Sequence, residues 1–158
     1  MKPQRGMVLL IALVLSLLLG LLAASALTEA LLQTRMASLL LANAQALEQA
    51  EATLHAGAAQ LALAPPVACQ HCLPPDDPHA LGGQQGAWQA TADGWFLLQN
   101  LGASSQAAHV PEGTPVTLYR VTAVSQQVRA RHVLEAVYAV QPHQPPQRIL
   151  WRQRVQEP

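Results

Sequence analysis

Charge is scarce in this chain. Only 11% of its 158 residues are charged, nine basic against nine acidic, for a formal net charge of +0. No basic stripe stands out, which argues against a nucleic-acid partner. Cysteine is nearly absent, with two residues in the whole chain. Glycine and proline are missing altogether between Gly20 and Gly57, yet twelve prolines and nine glycines occur overall, most of them past residue 60. That compositional shift sets a boundary near Pro65-Pro66 and leaves room for one compact domain at most. Catalytic motifs are lacking too. None of His55, His71, His79, His109, His132 and His143 stands at a recognised motif spacing from a Ser or Asp. Asp76-Asp77 sits between prolines, where a solvated loop is expected and not the pocket that general acid–base work needs. Gly82-Gly83 is not followed by a helix pattern, which excludes a phosphate cradle. The chain is therefore not expected to be an enzyme, and no cofactor or metal is expected.

What the sequence has in excess is an uncharged apolar run. From Met7 to Leu27 only Ser16, Gly20 and Ser25 interrupt it. As a helix rising ~1.5 Å per residue, this run is about 30 Å long, the thickness of a bilayer core. Lys2 and Arg5 precede it and Glu29 follows. Positive charge on the short side favours a cytoplasmic N-terminus and places the bulk of the chain on the far side of the membrane. An ordinary secretory signal would have an apolar core of roughly 7–15 residues before a small-residue cleavage site such as Ala23-Ala24-Ser25-Ala26. The run here is longer, and the helical pattern continues through that site.

Past Leu32 the pattern changes from apolar all round to one-sided. Met36, Leu40, Leu47, Ala50, Leu54 and Leu61 recur at three- to four-residue spacing, with Asn43 and Gly57 filling the gaps. Gln45, Glu48, Gln49, Thr53, His55 and Gln60 lie off the stripe. This is the signature of an amphipathic helix. The helix should end by Leu63, because Pro65 cannot continue it and biases Ala64 away from helix. The stripe lacks the clean flanking charges of a coiled coil, so packing against the chain's own head is expected.

Two sets of segments carry a family resemblance. Gln4-Arg5-Gly6, then Met7 and the unbroken apolar run, resembles the leader and cleavage site of type IV prepilins. Leu31-Leu32-Gln33-Thr34-Arg35-Met36-Ala37 and Ala46-Leu47-Glu48-Gln49-Ala50-Glu51-Ala52-Thr53-Leu54 resemble the N-terminal segment of PilX-type minor pilins. Tyr119-Arg120-Val121-Thr122-Ala123, Val133-Leu134-Glu135-Ala136-Val137-Tyr138 and Trp151-Arg152-Gln153 resemble that family's C-terminal strands. The resemblance covers roughly the first 60 and last 45 residues. It implies cleavage after Gly6 by a prepilin peptidase, methylation of the new N-terminus at Met7, and a part in starting or supporting assembly of the pilus fibre. The implied partners are the other minor pilins and the major pilin, met through the N-terminal helix. The implied organisation is a leader over 1–6, a long helix over 7–64 with its membrane part at 7–27, and a periplasmic head over 65–158. The implied location is the bacterial inner membrane, with incorporation into the fibre. A minor pseudopilin of a type II secretion system shares the same features. The chain departs from the pilin pattern at Ile11, where most pilins carry an acidic residue five positions after the cleavage point.

The head opens with Pro65 to Pro78, loop chemistry throughout, and contains Cys69 and Cys72. A disulfide between them suits an oxidising periplasm and an even count. A redox-active pair would need a helix start to lower a thiol pKa, which the flanking prolines do not suggest. A zinc site would need two more ligands, for which His55, His71 and His79 are the candidates. A membrane-tethered redox protein built on the cysteine pair is the alternative from a different functional class.

The remainder reads as β. Trp95 to Leu98 follows an Asp93-Gly94 turn signal, Val116–Val124 and Val128–Val140 flank Ser125-Gln126-Gln127, and Ile149 to Val155 alternates. In the second of the flanking pair, Ala130, His132, Leu134, Ala136, Tyr138 and Val140 share one face, opposite Arg129, Arg131 and Glu135. His132 is expected as a satisfied, half-buried side chain, and the arginines of the last strand as a solvated face. Three or four antiparallel strands have one apolar face to cover, and the helix stripe from Met36 to Leu61 is the expected cover. The expected fold class is α+β, a long N-terminal helix packed on a small antiparallel sheet.

Overall fold

The computed structural model describes residues 4–69, 72–81, 88–128 and 130–155, and for residues 4–6 the backbone alone. Among the described residues one α-helix, α1 (Gln4–Leu63), and a short 3₁₀ turn (Pro78–Ala80) precede five strands: β1 (Gln89–Ala90), β2 (Gly94–Ser104), β3 (Val116–Ser125), β4 (Val133–Val140) and β5 (Gln147–Arg154). Internal contacts divide the chain into two units, Met1–Leu41 and Ala42–Pro158. In the first unit the helix is exposed from Met7 onward on every side, Leu and Val included. It is long and apolar enough to cross a membrane, as a single-pass anchor must be.

In the second unit the last part of α1 packs on a sheet of order β1-β2-β3-β4-β5, every neighbouring pair antiparallel. The fold is α+β. The helix ends where the sequence requires: Ala64 N–H still donates to Gln60 O at 2.8 Å, and Pro65 halts the ladder. The core between helix and sheet joins Ala50, Leu54 and Leu61 to Phe96, Tyr119, Val121, Ala123, Leu134, Ala136 and Tyr138. Successive core residues two apart on each strand follow from the pleat. Gly57 brings the two layers together: a Cβ there would lie 2.6 Å from Val121 Cγ1 and 3.3 Å from the Phe96 ring.

Several expectations need correction. The stripe covers the sheet only from Ala46 onward, since Met36 and Leu40 are 63% and 70% exposed. Thr53, placed off the stripe by its polarity, is fully buried and lies 3.4 Å from Thr91 Oγ1. It sits where the helix crosses the β1–β2 turn, beside the side-chain-free Gly94. The sheet has five strands, because a two-residue strand precedes Gly94. There Thr91 Oγ1 accepts from the amides of Asp93 and Gly94 and fixes the turn. Between β3 and β4 the connection is longer than Ser125-Gln126-Gln127. Ser125 N–H donates to His132 O and His132 N–H to Ser125 Oγ, so β4 begins at Val133. Residues 130–132 therefore do not follow the strand alternation, and Arg129 lies outside the described residues.

Candidate functional site

The face of the sheet turned away from the helix carries most of the polar chemistry. Gln99, Arg120, Thr122, Glu135 and Arg152 lie there, one strand apart from each other: Gln99 pairs with Arg120, Thr122 with Glu135, and Glu135 with Arg152. Glu135 is 3% exposed. Arg152 Nη2 donates to both of its carboxylate oxygens at 3.0 Å. Arg120 Nε lies 2.9 Å from Oε1, a charge contact without linear hydrogen-bond geometry. Burial lowers the Arg120 pKa, and the Glu135 carboxylate opposes that shift. The alternation of β4 predicted that Glu135 points away from the core. Its burial under a cover was not expected, whereas Arg148 and Arg152 are exposed, as a solvated arginine face requires, and Arg154 is half-buried.

The cover over this face is the Pro-rich segment after the helix. Ala68 bridges in parallel to Asn100 at the outer side of β2, and Asn100 Nδ2 donates to Pro66 O at 3.0 Å. The segment then crosses the sheet as a strap. Gln99 Nε2 donates to Leu73 O at 2.9 Å, Arg120 Nη1 to Cys72 O at 3.0 Å, and Arg154 Nη1 to Pro75 O at 2.7 Å. Arg131 Nη1 donates to His79 O, and its guanidinium stacks 5.9 Å over the Trp95 ring. Pro75 and Pro78 are buried residues of the strap itself. A segment rich in proline has few amide donors, so its carbonyls are free to accept from side chains, and arginine and glutamine supply the donors. Cys69 and Cys72 are joined by a disulfide, with Cα atoms 5.7 Å apart. Both sulfurs rest against the Asn100 carbonyl, at 3.0 and 2.9 Å. The bond pins the strap where it leaves β2.

Compared with family models, curated proteins and solved structures, the chain matches none. The residues themselves must carry the functional reading. Gly6 and Met7, the expected processing pair, lie in the first turns of α1, and Met7 is exposed. Ile11 is exposed on the same helix. Of the expected zinc candidates, His55 is exposed on the helix, His79 belongs to the short 3₁₀ turn Pro78–Ala80, and His71 lies outside the described residues, as do Gly82 and Gly83. Among the described residues no three His, Cys, Asp or Glu side chains are grouped to hold a metal ion. Asp77 Oδ1 accepts from Ala80 N–H at 3.2 Å and caps the 3₁₀ turn. Its neighbour Asp76 is exposed.

His132 has both ring nitrogens engaged. Nε2 is 2.8 Å from Asn43 Oδ1 on the helix, and Nδ1 is 2.6 Å from Gln153 Nε2 on β5. Donor and acceptor roles at the two nitrogens follow the ring's tautomer. The ring thus ties helix, β4 entry and β5 together. With His79, Asp77, Arg131 and Arg154 it borders a cleft of about 420 Å³. The signal for the strap network was the composition of the segment itself, proline carbonyls without amides. Sequence alone did not say which arginines they would meet.

Proposed function

We propose that the chain is a minor pilin of the PilX type, a non-enzymatic subunit that takes part in type IV pilus assembly in an initiation or tip complex. In this reading a prepilin peptidase removes residues 1–6, the new N-terminus at Met7 is methylated, and the helix holds the chain in the inner membrane. The N-terminus faces the cytoplasm and the head the periplasm, and α1 meets other minor pilins and the major pilin. The observation that carries the reading is the two-part character of α1. Its first part is apolar and exposed all round, and its last part is one-sided and packed on an antiparallel meander. A helix built for lipid and then for a small sheet suits a subunit drawn out of a membrane into a fibre. The leader-like Gln4-Arg5-Gly6 before Met7 supports it from the sequence side. The disulfide supports an oxidising compartment for the head. Mass spectrometry of the mature protein tests the proposal. A methylated chain beginning at Met7 is expected. A chain retaining residues 1–6, or one cleaved after Ala26, overturns it.

A further inference from the structure

The two sides of the sheet are finished differently. The outer side of β2 is covered by β1 and by the Ala68 bridge. β5, eight residues long, is the last strand on the other side, and among the described residues nothing pairs with its outer edge. Its pairing with β4 shifts register between Val137 and Tyr138, which leaves Leu150–Arg154 as a regular run. Such an edge presents a row of unpaired amides and carbonyls. Apolar side chains flank it on both faces. Trp151 lies opposite the fully buried Ala136 yet is 44% exposed, and Leu150, opposite Val137, is 54% exposed.

Charge decides what fits there. Residues 116–155 contain Arg120, Arg129, Arg131, Arg148, Arg152 and Arg154 against Glu135, six minus one or +5; Asp76 and Asp77 of the strap border the same end of β5 and lower this to +3, in a chain whose net charge is +0. β5 itself has three arginines and no acid. Glu135 is shared by Arg120 and Arg152 and balances only one of them. A second copy of β5 laid antiparallel on this edge would gather six arginines along one seam, and like charges across a strand pair are destabilising. We propose that the β5 edge accepts an extended strand from another protein, with acidic residues at alternate positions and apolar ones between them. Arg152 and Arg154 share a face, so the incoming carboxylates stand opposite them at spacing two. The apolar side chains then stand opposite Trp151 on the other face. Backbone hydrogen bonds hold the strand and the alternation selects it. The proposal stands whether or not the chain is a pilin subunit.

Hydrogen exchange on the full chain in detergent micelles tests it. The probe is a blocked heptapeptide alternating glutamate and valine. Amides within residues 150–154 should slow about tenfold at saturating peptide, since an edge amide that joins a ladder becomes protected. The same peptide N-methylated at alternate residues on its pairing edge, and a lysine–valine peptide, should give no slowing. Trp151→Ser should weaken the effect several-fold with the circular dichroism spectrum unchanged. No slowing by the glutamate–valine peptide overturns the proposal. Equal slowing by the N-methylated peptide overturns it by showing a charge patch that does not use the edge. Slowing that rises with protein concentration without peptide assigns the edge to a second copy. Slowing by phosphatidylglycerol added to the micelles, but not by peptide, assigns it to a lipid surface.

Discussion

Glu135 is held by two arginines in different surroundings. Arg120 is nearly buried with it, whereas Arg152 is 52% exposed. Glu135→Ala leaves the Arg120 charge under the strap without a partner, and removing one member of a buried pair costs about 3–5 kcal/mol. Arg152→Ala keeps Arg120 against the carboxylate and deletes a pair open to water, worth about 1 kcal/mol or less. Thermal unfolding of the full chain in detergent checks the contrast, and equal losses would contradict this assignment of the network. His79 gives a pH dependence. Burial lowers its pKa; the nearby Asp77 and a hydrogen bond to the Arg154 backbone oppose the shift, and the Arg131 and Arg154 charges add to it. The unfolded chain then binds the proton more readily than the folded one, so stability falls as pH drops through the unfolded value of about 6.5. His79→Gln should lose less stability than the unsubstituted chain between neutral and mildly acidic pH, measured by urea titration. An unchanged difference would remove His79 from the account.

Helix, strap and sheet meet at a few positions where volume is fixed. At Gly57 a methyl group has no space against Val121, which is fully buried. Gly57→Ala gains about 1 kcal/mol of helix propensity but incurs an overpacking cost of 1–3 kcal/mol, so a net loss is expected. Gly20→Ala meets nothing within 4 Å and should leave head unfolding unchanged. The disulfide closes a very short loop, so replacing Cys69 and Cys72 by Ser should cost about 2 kcal/mol or less. The strap keeps its contacts from Gln99, Arg120 and Arg154 without it, and a loss above about 3 kcal/mol in denaturant unfolding would show that the bond does more than close a loop. These elements also mark how far the sequence could be read. The end of α1 before Pro65 and the inward face Leu134, Ala136, Tyr138 were legible, because each rests on a local rule of backbone or period. The start of the buried stripe at Ala46 was not, because Met36 and Leu40 continue the same spacing while standing exposed. Periodicity records a face, and only the sheet's extent says where that face is used. The burial of Glu135 was illegible for the same reason: its cover comes from a strap some sixty residues earlier, with no periodic signal.

The whole chain joins an exposed apolar helix to a packed head, and Ile11 bears on how such a chain could enter a fibre. By the pilin resemblance, an acidic residue at this place would receive the methylated amine of a neighbouring subunit. Processed as proposed, the chain would present its own amine at Met7, but Ile11 offers no carboxylate in return. Each internal copy would leave a charge unpaired in an apolar core, at a cost of about 2.5–3.5 kcal/mol on membrane-insertion scales. Repetition along a shaft multiplies that deficit, whereas a subunit at one end never meets it. On the proposed pilin reading the chain is therefore expected at low copy number, at the tip or in the initiating complex. Antibody to residues 65–158 on sheared fibres should label ends or rare points, and even labelling along the shaft would defeat the argument. Ile11→Glu supplies the missing carboxylate without lengthening the span, and its insertion cost is within what a run of this length sustains. It should still insert and be processed, and the same labelling should then spread into the shaft. If the substituted chain remains confined to the ends, the restriction lies in the head, and the unpaired charge at the amine is not what limits incorporation.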